Sequence, residues 1–114
     1  MKNIIAVATI ISLSASFAPK TQASTIAQNL CEYVNVDNKS KLRSYLKTNK
    51  LKIRNVFDGI QCNGQNLLAF AASRNATETG AMIIGKLSKK VIETNLSALA
   101  NSELASVAQK RVQG

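Results

Sequence analysis

Cys31 and Cys62 are the only two cysteines in this chain, and whether they are free or bridged decides how so short a sequence can hold a fold. The N-terminus indicates the redox setting. Lys2 gives a short positive start, Ile4 to Phe17 runs as a mostly apolar stretch broken by Thr9, Ser12, Ser14 and Ser16, and Pro19-Lys20 ends it. Thr21-Gln22-Ala23 then offers small residues at the −3 and −1 positions of a signal-peptidase site. Residues 1–23 are therefore expected to be an export leader cut after Ala23. A cut after Ala18 would leave Pro19 at +1, a poor substrate for signal peptidase. An uncleaved anchor is the other alternative, but the run falls short of the roughly 18 apolar residues a span needs.

Without the leader, Ser24 to Gly114 is one small domain, whose apolar core alone gives marginal stability. A further constraint is expected, and export carries the cysteines to where thiols oxidise. Two cysteines allow one intramolecular pairing. Closing that loop is worth about 3–4 kcal/mol on the chain-entropy view. Two buried thiols or an intermolecular bridge remain as alternatives. Gln28-Asn29-Leu30 before Cys31 is not a lipobox, which argues against a lipid-anchored N-terminus.

Losing Lys2 and Lys20 with the leader takes the net charge from +9 to +7. The remaining charge is concentrated in Lys39, Lys41, Arg43, Lys47, Lys50, Lys52 and Arg54, a stretch without a single acid. Such a run creates a positive potential that attracts anions. For an exported protein these are an acidic protein, a lipid head group or an acidic polysaccharide of the envelope. A solvated basic face that keeps the chain soluble is the plain alternative. Nucleic acid is not the expected partner, since no binding motif is present and aromatic residues for stacking are few.

Hydrophobic spacing predicts a mainly all-α fold, a small bundle of four to five short helices with one disulfide-pinned loop. Thr25-x-x-Gln28 reads as a capping box opening a helix from Ile26 to Val36 that carries Cys31. Asp37 reads as the N-cap of a second helix to about Thr48, with Leu42, Tyr45 and Leu46 inward. Alternation of Leu51 and Ile53 with Lys52 and Arg54 predicts an extended stretch. Asp58-Gly59 and Asn63-Gly64 favour turns, and a loop plugged by Phe57 and Ile60 is preferred to a hairpin. Asn66 then caps a nearly all-apolar helix, Leu67 to Arg74, expected at the centre. Asn75-x-x-Glu78 predicts another capping box before a helix to about Leu87, with Gly80 and Gly85 as two separate close contacts. Residues 24–90 form the expected stapled domain, and residues 91–114 a weakly amphipathic helix with a frayed end from Gln109, or a mobile tail.

Two resemblances follow. Leu30 precedes Asp37 as Leu68 precedes Asn75, and Asn63-Gly64-Gln65-Asn66-Leu67-Leu68-Ala69-Phe70-Ala71-Ala72 is similar to the ankyrin opening D-G-x-T-P-L-H-x-A-A. Asn66, Leu67 and Ala69 stand where that motif has Thr, Pro and His, so the likeness extends to a helix–turn–helix shape. Leu30-Cys31-Glu32, Asp37-x-x-Ser40-x-Leu42-Arg43 and Cys62-Asn63-Gly64-x-x-Leu67-Leu68-x-Phe70-Ala71 together resemble a family of small exported gammaproteobacterial proteins catalogued as a domain of unknown function. That resemblance covers about Ile26 to Leu87. It implies a bacterial envelope protein with the two cysteines as a family feature, and no activity.

The chemistry on offer is sparse. The chain has no histidine, which removes the usual general acid–base and the commonest metal ligand. Pairing both cysteines removes the thiolate, and their separation is not that of a redox motif. Carboxylate pairs could serve a hydrolase, but of Glu32, Asp37, Asp58, Glu78, Glu93 and Glu103 three have capping or turn roles. No enzyme, no cofactor and no metal are expected. The expectation is a non-catalytic periplasmic binding protein, secretion being the other destination, which meets an anionic partner through Lys39 to Arg54. The rival functions are an inhibitor of an envelope enzyme, presenting Arg54 to Gly64, and a membrane-surface protein using the basic helix with Leu96 to Val107.

Overall fold

Leu30 and Val34, four residues apart, are both fully buried and define the inward stripe of α1 (Ala18–Asn35). The computed structural model describes residues 18–114. The apolar run of the expected leader lies outside them. Thr25 is not a helix start, because α1 is already formed from Ala18.

After α1 come α2 (Lys39–Thr48), a four-residue α3 (Ile53–Val56) and a 3-10 turn over Phe57–Gly59. Strands β1 (Gln61–Cys62) and β2 (Gln65–Asn66) precede α4 (Leu67–Ser73), α5 (Thr77–Lys86), α6 (Lys89–Leu99) and α7 (Leu104–Gln113). The all-α class is observed, and a disulfide joins Cys31 to Cys62. The expected four or five helices become seven among the described residues. Residues 53–56 coil where alternation predicted an extended stretch, and the C-terminal segment divides in two.

The helices pair as α1 with α2, α4 with α5 and α6 with α7. The pairs stack in two layers: α1 on α4 on α6, and α2 on α5 on α7. The first two pairs are joined alike. Asp37 and Asn75 both take the left-handed conformation, at φ of 53° and 57°. In each joint the left-handed residue's N–H donates to a carbonyl three back, and the next N–H to one five back: Asp37 to Val34 and Asn38 to Tyr33, Asn75 to Ala72 and Ala76 to Ala71. This double bond is a Schellman stop, which releases the chain into the next helix.

Capping is where the sequence reading needs correction. The N-cap of α2 is Asn38, whose side chain accepts from the Lys41 N–H at 3.0 Å. Asp37 caps α5 instead, across the stack: its carboxylate accepts the Glu78 N–H at 3.2 Å and the Thr79 N–H at 2.8 Å. Asn75, expected to cap α5, is committed to the turn by its backbone, and Ala76 holds the cap position without a side-chain bond. Asn66 caps α4 as expected, accepting from Ala69 at 2.8 Å. Its amide also donates to Asn95 at 2.8 Å, tying α4 to α6.

The linker between the first two pairs is a hairpin, not a loop. Gln61 pairs with Asn66 and Cys62 with Gln65 around Asn63-Gly64. Both turn residues have positive φ, 54° and 77°. That combination closes a two-residue turn matching the twist of antiparallel strands. Phe57 and Ile60 are buried as expected, and the bridge, with an S–S distance of 2.04 Å, fastens the hairpin to α1. Of the two glycines read as close contacts, only Gly80 is one, since a Cβ there would run into Leu104 of α7. Gly85 faces open space.

The C-terminal segment is docked. Ile92, Leu99, Leu104 and Ala108 are buried in the same core as α4 and α5, so α6 and α7 form a third pair where a single helix with a frayed end was expected. Arg111, within the expected fray, donates to the Leu87 carbonyl at 2.9 Å and so satisfies an orphan acceptor at the end of α5.

Candidate anion-binding cleft

Leu42 and Leu46 of α2 are buried and Tyr45 packs beside them on the core, while Arg43, Ser44 and Lys47 are exposed. Arg43 and Lys47 lie four apart on one face. The chain leaves α2 through a left-handed Lys50, with Lys50 N–H donating to Lys47 and Leu51 N–H to Leu46. It then re-coils as α3, and Lys52, at its N-cap, and Arg54, in its turn, line the same space as Arg43 and Lys47. The far wall is the last turns of α5.

The space between these walls is a cleft of about 760 Å³, lined by Arg43, Lys47, Lys52, Arg54 and Lys86 around Leu46, Leu51, Ile53, Asn55, Met82 and Gly85. Five cations and no carboxylate line it. Among the described residues, none of these five side chains has an ion pair or hydrogen bond to the protein. Lys47 and Lys86 occupy the last turns of their helices, where positive charge complements the backbone dipole. Arg54 lies in the single turn of α3, and Arg43 and Lys52 have no such local role. Leu46 and Ile53 form a buried base, while Leu51 and Met82 are partly exposed above it.

The basic run is therefore not one uniform face. Arg43, Lys47, Lys52 and Arg54 converge in the cleft. Lys39 lines an adjoining shallow groove, which shares Arg43, Met82, Gly85 and Lys86 and contains Glu78. Lys41 and Lys50 are exposed outside both. Sequence reasoning missed Lys86, Met82 and Gly85, which come from a helix remote in sequence. Lys86 stands outside the run from Lys39 to Arg54, so the local charge pattern gave no sign that it joins the same site.

A second groove, of about 560 Å³, runs beside the disulfide between α1, the hairpin and α4. Glu32 is the one acid in its lining, with Asn29, Asn35, Asn63 and Arg74 among the polar residues. No second carboxylate faces it there. Asp58, Glu93 and Glu103 are exposed elsewhere. Among the described residues no three His, Cys, Asp or Glu side chains gather as a metal site, and no helix is long and apolar enough to cross a membrane. The disulfide points to an oxidising, extracytoplasmic environment.

No curated protein and no solved structure matches the chain. A family model, described as a protein of unknown function, matches residues 30–94, which hold both cysteines, the basic run and α5. With more than half its length covered, from Leu30 in α1 to Thr94 in α6, the chain belongs to the DUF3718 family.

Proposed function

We propose that this protein is a non-catalytic binding domain of the bacterial periplasm that receives an anionic partner in its basic cleft. The observation carrying the reading is the convergence of Arg43, Lys47, Lys52, Arg54 and Lys86 on one concave, acid-free site. Like charges gathered without carboxylate partners repel one another, and an anion relieves that repulsion. The export leader at residues 1–23 belongs to the same reading. Cleavage after Ala23 leaves α1 with the residues that pack on the core, Ile26, Ala27, Leu30, Cys31, Tyr33 and Val34.

The test is binding of the oxidised protein to heparin and to anionic vesicles over a salt series, beside the triple variant Arg43→Gln, Lys52→Gln, Arg54→Gln. Affinity should fall with salt and be lost in the variant. Equal binding by variant and parent would refute the site.

The inhibitor reading keeps one supporting observation. Residues 54–64 are held by buried Phe57, Ile60 and Cys62 while Asp58, Gly59, Gln61 and Asn63 face outward, which is how a rigid inhibitory loop is presented. Screens against cell-wall hydrolases and proteases address it. The membrane-surface reading has less support, because Leu99 and Leu104 of the segment it invoked are buried and Leu96 and Val107 pack on the core.

A further inference from the structure

Gly85 is the residue that the fold itself does not explain. It is the penultimate residue of α5, where glycine has no advantage over alanine in helix propensity. Its φ is not in the left-handed range, and a Cβ built on it meets nothing within 4 Å. Gly80, one and a half turns earlier, is different: Leu104 occupies the space its side chain would need. Neither turn geometry nor packing requires glycine at 85, but any side chain there would project into the basic cleft and its adjoining groove, which Gly85 helps to line.

The surroundings of that open position are mixed in character. Leu51 and Met82 offer partly exposed apolar surface over buried Leu46 and Ile53, and the five cations surround them. Lysine and arginine stems add apolar lining of their own while their charged heads reach outward. A polyanion would use the cations and leave the apolar floor wet. The volume, about 760 Å³, is that of a site for one small ligand. We infer that the cleft takes a single amphiphilic anion, with a phosphate or carboxylate head held by Arg43, Lys52 and Arg54 and an alkyl chain lying over Met82 and the open face at Gly85. This rests on the anionic-partner reading above and narrows it to a lipid-like ligand bound as a free molecule.

The experiment is calorimetric titration of the oxidised protein with dodecyl phosphate below its micelle concentration. Inorganic phosphate, dodecyl maltoside, heparin and vesicles of anionic phospholipid serve as comparison probes. One dodecyl phosphate per chain should bind, more tightly than inorganic phosphate, and dodecyl maltoside should not. Gly85→Phe should weaken dodecyl phosphate by at least roughly tenfold, the equivalent of about two buried methylenes, while Gly85→Ala keeps most of the affinity. The free space at Gly85 predicts that both variants fold, which circular dichroism checks. Met82→Gln, which removes floor without adding bulk, should weaken the same probe. If heparin or inorganic phosphate binds as tightly as dodecyl phosphate and the Gly85 and Met82 variants change nothing, the amphiphile inference falls and the anionic-partner reading stands. Binding only to vesicles, indifferent to Gly85→Phe, also overturns it in favour of a membrane surface. If no anion binds at all, both readings fall together.

Discussion

The carboxylate of Asp37 accepts the buried hydroxyl of Thr79 at 2.9 Å and the Thr79 N–H at 2.8 Å, joining the end of one helix to the start of another 42 residues later. Thr79 is the one polar residue that is buried among those described, and Asp37 satisfies it. The same carboxylate takes the Glu78 N–H, so one side chain serves two of the orphan donors of α5. Asp37→Gly keeps the left-handed backbone but removes every one of these bonds. It should destabilise the fold by about 1–3 kcal/mol, the range for a lost cap and an unsatisfied buried hydroxyl. Asp37→Asn, which retains an acceptor oxygen, should cost less. Urea denaturation at unchanged slope measures both, and equal midpoints for Asp37→Gly and the parent would refute the cross-stack cap.

That pair also marks where the sequence stops being readable. Residue type revealed that Asp37 and Asn75 end one helix and begin the next, and the offset between the two joints was visible in the chain. Local rules then assign each its own following helix. The left-handed backbone at Asp37 turns its side chain away from α2, and stacking of the pairs delivers it to α5. Asn66, with ordinary extended backbone, caps the helix directly after it. The basic cleft follows the same division. Arg43 to Arg54 was legible as a charge run, because charge is a local property of sequence. Lys86 and Gly85 were not, because their membership depends on how α5 packs against α2 and α3.

The bridge between Cys31 and Cys62 closes a loop across 31 residues and fastens the hairpin to α1. Reduction, or the paired Cys31→Ser and Cys62→Ser change, should lower stability by about 3–4 kcal/mol. The hairpin is too short to persist alone, so hydrogen exchange at Gln61 to Asn66 should rise first. An unfolding midpoint that ignores reductant would show that the packing of Phe57, Ile60 and Leu67 holds this linker unaided.

Gly80 and Leu104 make the contact that docks α7 on α5. A methyl at position 80 would meet the side chain of Leu104, which is 1% exposed and so has little room to move. Gly80→Ala should therefore destabilise by about 1–3 kcal/mol despite its better helix propensity. Leu104→Val should relieve part of the loss, giving the non-additivity expected of touching residues. A strictly additive double variant would place the cost elsewhere.

Lys50 ends α2 in the left-handed conformation, φ 54°, with the same pair of stop bonds as Asp37 and Asn75. A lysine gains nothing locally from that backbone, which costs a residue with a Cβ roughly 1–2 kcal/mol. Glycine is the residue most often found there. Lys50→Gly should stabilise the protein by roughly 0.5–1 kcal/mol once the greater freedom of glycine in the unfolded chain is deducted. Lys50 is also exposed outside the cleft lining. Thermal unfolding and dodecyl phosphate titration of this one variant therefore separate two ideas. A higher midpoint with unchanged affinity supports the cleft as the site. A loss of affinity comparable to that of Arg54→Gln would mean that the whole basic run, and not its converging members, meets the anion.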